Sequence, residues 1–188
     1  MSPNVTYMVF EAAGAKCPQS LPTVLLNSVA LERVVQFKYL GHEVTADLKD
    51  HADIERERRA LSIRANMLAR RFARCSVDVK ITLFRAYCTS LYTCSLWVDY
   101  TQRAYNSLRV QFNNAFRAVL GLPRFCSASG MFAEARTDCF HASVRKRCAS
   151  MVRRVRASSN AVLAMISGRL DCPYIWHSCS RHSPVVSS

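Results

Sequence analysis

Glycine is scarce. Only five occur in 188 residues and they form no glycine-rich loop, which excludes nucleotide hydrolysis on a phosphate-binding loop. Acidic residues are few as well, 13 against 26 lysines and arginines, and no two aspartates are adjacent, so the usual source of a two-metal carboxylate pair is missing. No apolar run reaches the length of a membrane span; the longest candidate, ITLFRAYCTSLYTCSLW, is broken by Arg85 and several hydroxyls. The nine cysteines make neither a C-x-x-C pair nor a compact framework, and no secretory signal is found. These absences predict an intracellular, reducing setting, cytoplasmic or nuclear, with no membrane partner and no secretion. The sequon-like NVT at Asn4 then carries no meaning.

What is present is an ordinary globular composition, 50% hydrophobic and 21% charged, under a formal net charge of +13. That excess suits a polyanion, and nucleic acid is the commonest one met by a basic domain. Arginine dominates the basic set, favouring forked phosphate contacts over solubility alone.

The chain changes period near residue 47. Up to residue 46 it reads as short strands: TYMVFE, then turn residues Gly14 and Pro18, then TVLLN and VALERV, with Asn27 and Ser28 as a hairpin turn. In VVQFKYLGHEV, the alternation of Val35, Phe37 and Tyr39 predicts a strand with one buried face, ended by a turn or bulge at Gly41. From Asp50 the period becomes helical. Ile54, Arg58, Leu61, Ala65, Leu68 and Phe72 form one stripe of a long helix. Ser76 caps the next, with Asp78 in its first turn and Leu83, Tyr87, Leu91 and Cys94 as its buried stripe; Phe84, Tyr92 and Trp97 beside it mark this helix as central. A third carries Ala104, Leu108, Phe112, Ala115, Phe116 and Val119 and closes at Gly121 and Pro123. Phe140, Val144, Cys148, Met151, Val152 and Val155 line another, Asn160 caps a short one, and the tail from Asp171 shows no periodicity. The fold class read from this is α+β, mostly α: a small antiparallel β segment at 1–46, a helical bundle at 47–170 and a loose tail at 171–188.

Few constellations carry chemistry. Cys172, His177, Cys179 and His182 have zinc-binding side chains, but their spacing spells neither a finger nor a knuckle, and Cys139, His141 and Cys148 are weaker still, so no metal site is expected. The scattered histidines His42, His51, His141, His177 and His182 support no nucleophile–base pair, and no catalytic residue is assigned. Asp47, Asp50 and Asp53 precede an arginine-rich helix and read as residues satisfying its dipole. Cys88, Cys94 and Cys148 fall on apolar stripes, where a free thiol behaves as a small hydrophobe. The basic helices remain. Arg56, Arg59, Arg70, Arg71, Arg74, Arg124, Arg145, Lys146 and Arg147 are the candidate contacts to a nucleic-acid backbone.

The ordered set TYMVF, LNSVALERVVQFKYLG, RRALSIRANMLARRF, VKITLFRAYCTSLYTCSLW, NNAFRAVLGLPR and SASGMFAEAR resembles the C-terminal part of reverse transcriptases of non-LTR, LINE-type retrotransposons. The resemblance runs from about residue 4 to about residue 175. It implies the end of a palm, a primer-grip hairpin at Phe37, Lys38, Tyr39, Leu40 and Gly41, and a helical thumb from Asp50 onward that tracks an RNA or DNA template–primer. It also implies an incomplete RNA-directed DNA polymerase. The family's metal-binding aspartate of an early palm strand and its aromatic-x-Asp-Asp turn are absent, and in SPNVTYMVF Val5 stands where the family often has a lysine that assists proton transfer. The chain alone is therefore expected to be inactive and to hold no cofactor, Mg2+ belonging to the intact polymerase. The alternatives are a helical interaction module that docks on an intact polymerase through its β edge, or a non-functional remnant of a transposable element.

Overall fold

The computed structural model describes residues 5–10, 21–169 and 172. Gly14, Pro18, His177, Cys179, His182 and nearly all of the 171–188 tail lie outside the described residues. Within them every strand precedes every helix: β1 (Thr6–Tyr7), β2 (Leu25–Leu26), β3 (Val29–Ala30), β4 (Glu32–Arg33), β5 (Gln36–Tyr39) and β6 (His42–Thr45). The helices follow as α1 (His51–Arg71), α2 (Val77–Tyr87), a 3-10 turn at Cys94–Leu96, α3 (Gln102–Leu120), α4 (Ala128–Glu134), α5 (Phe140–Arg156) and α6 (Ala161–Ser167). The class is α+β with helix in the majority.

The strands make three two-stranded sheets, β1 parallel to β4, and β2–β3 and β5–β6 antiparallel. Asn27 and Ser28 form the β2–β3 turn at φ 50° and 64°, and Leu40 and Gly41 form the β5–β6 turn at φ 47° and 85°. Two consecutive positive φ values give the turn a twist that matches the strands it joins, and Gly41 meets that demand without a Cβ penalty. The buried face expected of Val35, Phe37 and Tyr39 is not found: they are 66%, 49% and 62% exposed. The physical reason is that β5 pairs only with β6 among the described residues, and it is β6 that meets α1, while Phe37 and Tyr39 face only the segment 7–10 across a shallow apolar recess.

The core is helical, with α1 against α3 at its centre. These two helices run side by side in the same direction: His51 Nε2 accepts from Thr101 N at 3.1 Å where both begin, and Ala65, Asn66, Ala115 and Ala118 line one groove further along. From α1, Ile54, Leu61, Ala65 and Leu68 are buried as read and Phe72 packs at the edge, but Arg58 leaves the stripe to bind Glu55, while Asp53 and Glu57 are buried. Phe84 of α2 enters edge-on between Phe112 and Phe116, with ring centres 5.3 and 4.9 Å away. It is the one buried residue of α2. Tyr87 is 51% exposed because the helix stops there and the chain turns, so Leu91 and Cys94 reach the core from the loop and the 3-10 turn, and Tyr92 stays 68% exposed. The core is thus centred on the α1–α3 pair rather than on α2.

The α3 stripe is buried at Leu108, Phe112, Ala115, Phe116 and Val119, and Gly121 closes the helix in the left-handed region at φ 71°. The SASGMFAEAR stretch forms α4, whose Met131 and Phe132 are buried. In α5, Phe140, Val144, Cys148 and Val152 are buried, and Asn160 caps α6 by accepting from Val162 N and Leu163 N. Cys88, Cys94 and Cys148 are buried thiols.

Candidate nucleic-acid interface

The hairpin proposed as a primer grip is fastened to the helices by one carboxylate. Asp53, fully buried on α1, accepts at Oδ1 from Glu43 N at 3.0 Å and from Arg56 Nε at 2.7 Å, and at Oδ2 from Trp97 Nε1 at 2.7 Å and from the Thr93 hydroxyl. His42 Nδ1 stands 3.2 Å from the same Oδ2. Burial pushes the Asp53 carboxyl up, but hydrogen bonds from His42, Arg56, Thr93 and Trp97 outweigh it and leave the group well below its usual range. The hydrogen bond to Asp53, reinforced by the charges of Asp53 and Asp50, holds His42 above its ordinary value against burial and the Arg56 charge.

The reading of the three aspartates as helix-dipole residues holds by position for Asp50, at the cap of α1, and Asp53, in its first turn, while their side chains bind elsewhere. Asp50 occupies the cap position of α1 without a side-chain cap bond; it accepts instead from Val98 N at 2.7 Å and Asp99 N at 2.9 Å, and burial raises its carboxyl. Asp47 is exposed and accepts from the Thr45 hydroxyl. Only Asp53 stands in the first turn, and its lone pairs are taken by the donors of three chain segments. No cluster of three or more metal-ligating side chains occurs among the described residues.

Phe37, Lys38, Tyr39, Leu40 and Gly41 sit together at the end of this hairpin. Phe37 and Tyr39 line an apolar recess of about 280 Å3 with Tyr7, Met8, Phe10 and Val44. Lys38 is exposed opposite Glu43 in the ladder, Leu40 is 76% exposed, and a Cβ on Gly41 would stand 3.7 Å from the Tyr92 ring.

The nine backbone-contact candidates divide into two groups. Arg56 is held by Asp53 and Thr93, Arg59 binds Glu55 at 2.9 Å, Lys146 binds Asp138 at 2.6 Å, and Arg147 is half-buried and donates to Thr89 O at 3.4 Å. Arg70, Arg71, Arg74, Arg124 and Arg145 are exposed, with no carboxylate partner within salt-bridge distance among the described residues. Four of these five sit towards one end of the molecule. Arg70, Arg71 and Arg74 finish α1, and Arg124, just past α3, lines a groove of about 490 Å3 with Asn66, Gln111, Asn114 and Arg117. Sequence reasoning missed Asn66, Gln111 and Asn114, whose side chains carry no charge signal. It also missed Arg85, which donates to the carbonyls of Ala135 and Arg136 at the end of α4.

No helix among the described residues is long and apolar enough to cross a membrane. No family model, curated protein or solved structure matches the chain.

Proposed function

We propose that this chain is the palm-end, primer-grip and thumb portion of a non-LTR retrotransposon reverse transcriptase, and that by itself it binds nucleic-acid backbone without polymerising. The observation that carries the reading is the cluster of Arg70, Arg71, Arg74 and Arg124 at the far ends of α1 and α3, exposed and lacking carboxylate partners within salt-bridge distance among the described residues. Guanidinium groups presented this way exchange condensed counterions for phosphates, whatever the base sequence. The net charge of +13 supplies the long-range attraction. Lys38 and the Phe37–Tyr39 ribbon would meet the primer end. The catalytic aspartates and their Mg2+ belong to the palm of an intact enzyme. Anisotropy titration of a labelled RNA/DNA duplex tests the binding, and primer extension by the purified chain with Mg2+ would contradict the absence of polymerisation.

The exposed ribbon favours a second reading, an interaction module that docks on an intact polymerase. Val35, Phe37, Tyr39 and Leu40 are all at least 49% exposed on a two-stranded ribbon, and uncovered strand edges are templates for pairing. A monodisperse monomer unchanged in size by the polymerase would remove it.

A further inference from the structure

Helices α3 and α4 and the start of α5 surround a cavity of about 500 Å3, away from the α1 arginines. Arg109 and Asn113 reach it from α3, and His141 from the first turn of α5. Arg109 Nε is shielded from solvent and meets no acceptor among the described residues, an arrangement that costs desolvation without a compensating bond. Burial pushes the Tyr105 phenol above its ordinary value, so it stays protonated, and its hydroxyl lies 3.4 Å from His141 Nδ1. In the tautomer where the phenol donates to Nδ1, the imidazole proton lies on Nε2 and His141 is a donor too. Partial desolvation, with Arg109 and Arg145 nearby, shifts His141 below its ordinary value, although the residue keeps an exposed surface. The opposing carboxylate in the lining, Asp138, is engaged by Lys146 Nζ at 2.6 Å. Cys139, at the cap position of the 17-residue α5, makes no side-chain cap bond and leaves the first-turn amides open.

We propose that this cavity binds a phosphate monoester, whose oxygens accept from the terminal guanidinium nitrogens of Arg109, from His141 Nε2 and from the Asn113 amide. Donors approach from two helices, α3 and α5, which suits a tetrahedral oxyanion better than the two coplanar oxygens of a carboxylate. A volume of about 500 Å3 admits a group of mononucleotide size. The phosphate has two possible sources, a free phosphorylated metabolite or the terminal phosphate of a nucleic acid. The inference does not depend on the function proposed above.

The test follows the His141 ring signals of the full chain by NMR across pH, with inorganic phosphate, with adenosine monophosphate, and with a short oligonucleotide bearing either a 5′-phosphate or a 5′-hydroxyl. Bound phosphate raises the apparent pKa of His141. Arg109→Gln weakens phosphate binding at least about tenfold, Asn113→Ala weakens it less, and Arg103→Gln, on the same helix outside the cavity, leaves it unchanged. Preference for the 5′-phosphorylated oligonucleotide over its hydroxyl counterpart, lost in Arg109→Gln, assigns the nucleic-acid source; binding of phosphate and mononucleotide without that preference assigns the metabolite. The proposal is overturned if millimolar phosphate leaves His141 unmoved, or if folded Arg109→Gln binds as tightly as the parent. Should Arg109→Gln fail to fold, unchanged binding by Asn113→Ala and by His141→Gln, followed calorimetrically, overturns it equally.

Discussion

Asp53 has no exposed surface yet keeps its charge, because Arg56, His42, Thr93, Trp97 and the Glu43 amide supply what water would. Removing the acceptor strands these donors together. Asp53→Ala should cost about 3 to 5 kcal/mol in denaturant unfolding, the range found when one partner of a buried pair is lost. Two titrations act at this junction in opposite directions. His42 is held above its ordinary 6.5 by the hydrogen bond to Asp53, so its stabilisation is fully present below pH 6.5 and is lost as pH rises through the raised value. Asp53, whose hydrogen bonds overcome burial, stabilises above its ordinary 3.8 and loses that contribution as pH falls through its depressed value. The melting-temperature difference between parent and His42→Gln should therefore shrink on the alkaline side of 6.5. A constant difference from pH 5 to pH 9 would remove His42 from the account.

At the scale of elements, the β5–β6 turn places two residues in the positive-φ region, one suited to it and one not. Gly41 at φ 85° is suited to its conformation, whereas Leu40 at φ 47° is not and is 76% exposed, so it gains nothing by packing. Leu40→Asn should stabilise the hairpin by about 0.5 to 1 kcal/mol, and Gly41→Ala should destabilise it by about 1 kcal/mol, both read from thermal unfolding. In the core, Phe84→Ala should cost about 3 to 5 kcal/mol, since its ring is enclosed by Phe112 and Phe116. These elements also show what a sequence reveals. The α3 stripe and the Gly121 stop were legible because helical period and left-handed capping are local. The Asn27–Ser28 turn was legible for the same reason. The exposure of Phe37 and Tyr39 was not, since alternation tells which residues share a face but not whether a second layer covers it. The early end of α2 escaped because Leu91 and Cys94 keep the helical spacing while being buried from a loop. The Asp53 network joins its near neighbours Arg56, Glu43 and His42 to Thr93 and Trp97, 40 and 44 positions away, and no local pattern signals that Asp53 turns towards those two.

On the scale of the whole molecule, charge is unevenly spent. Arg56, Arg58, Arg59 and Arg64 are tied to the carboxylates of Asp53, Glu55 and Glu57, and Glu55 is lowered to about 2, chiefly by its hydrogen bond from Arg58. The cations of the first two-thirds of α1 thus brace the helix, and those at its end have no carboxylate within reach among the described residues. A charge count could not separate the two sets. Their partition leads to the central claim, that backbone binding is carried by the end of α1 and the start of the loop after α3. The most direct measurement is the affinity for an RNA/DNA duplex across a salt series, for the parent chain and for the Arg70→Gln, Arg71→Gln, Arg74→Gln triple variant. The account predicts that log affinity falls linearly with log salt, and that the variant's slope is shallower by about 2 to 3, one counterion being released per lost phosphate contact. An affinity indifferent to salt, or a slope unchanged in the triple variant, would contradict it.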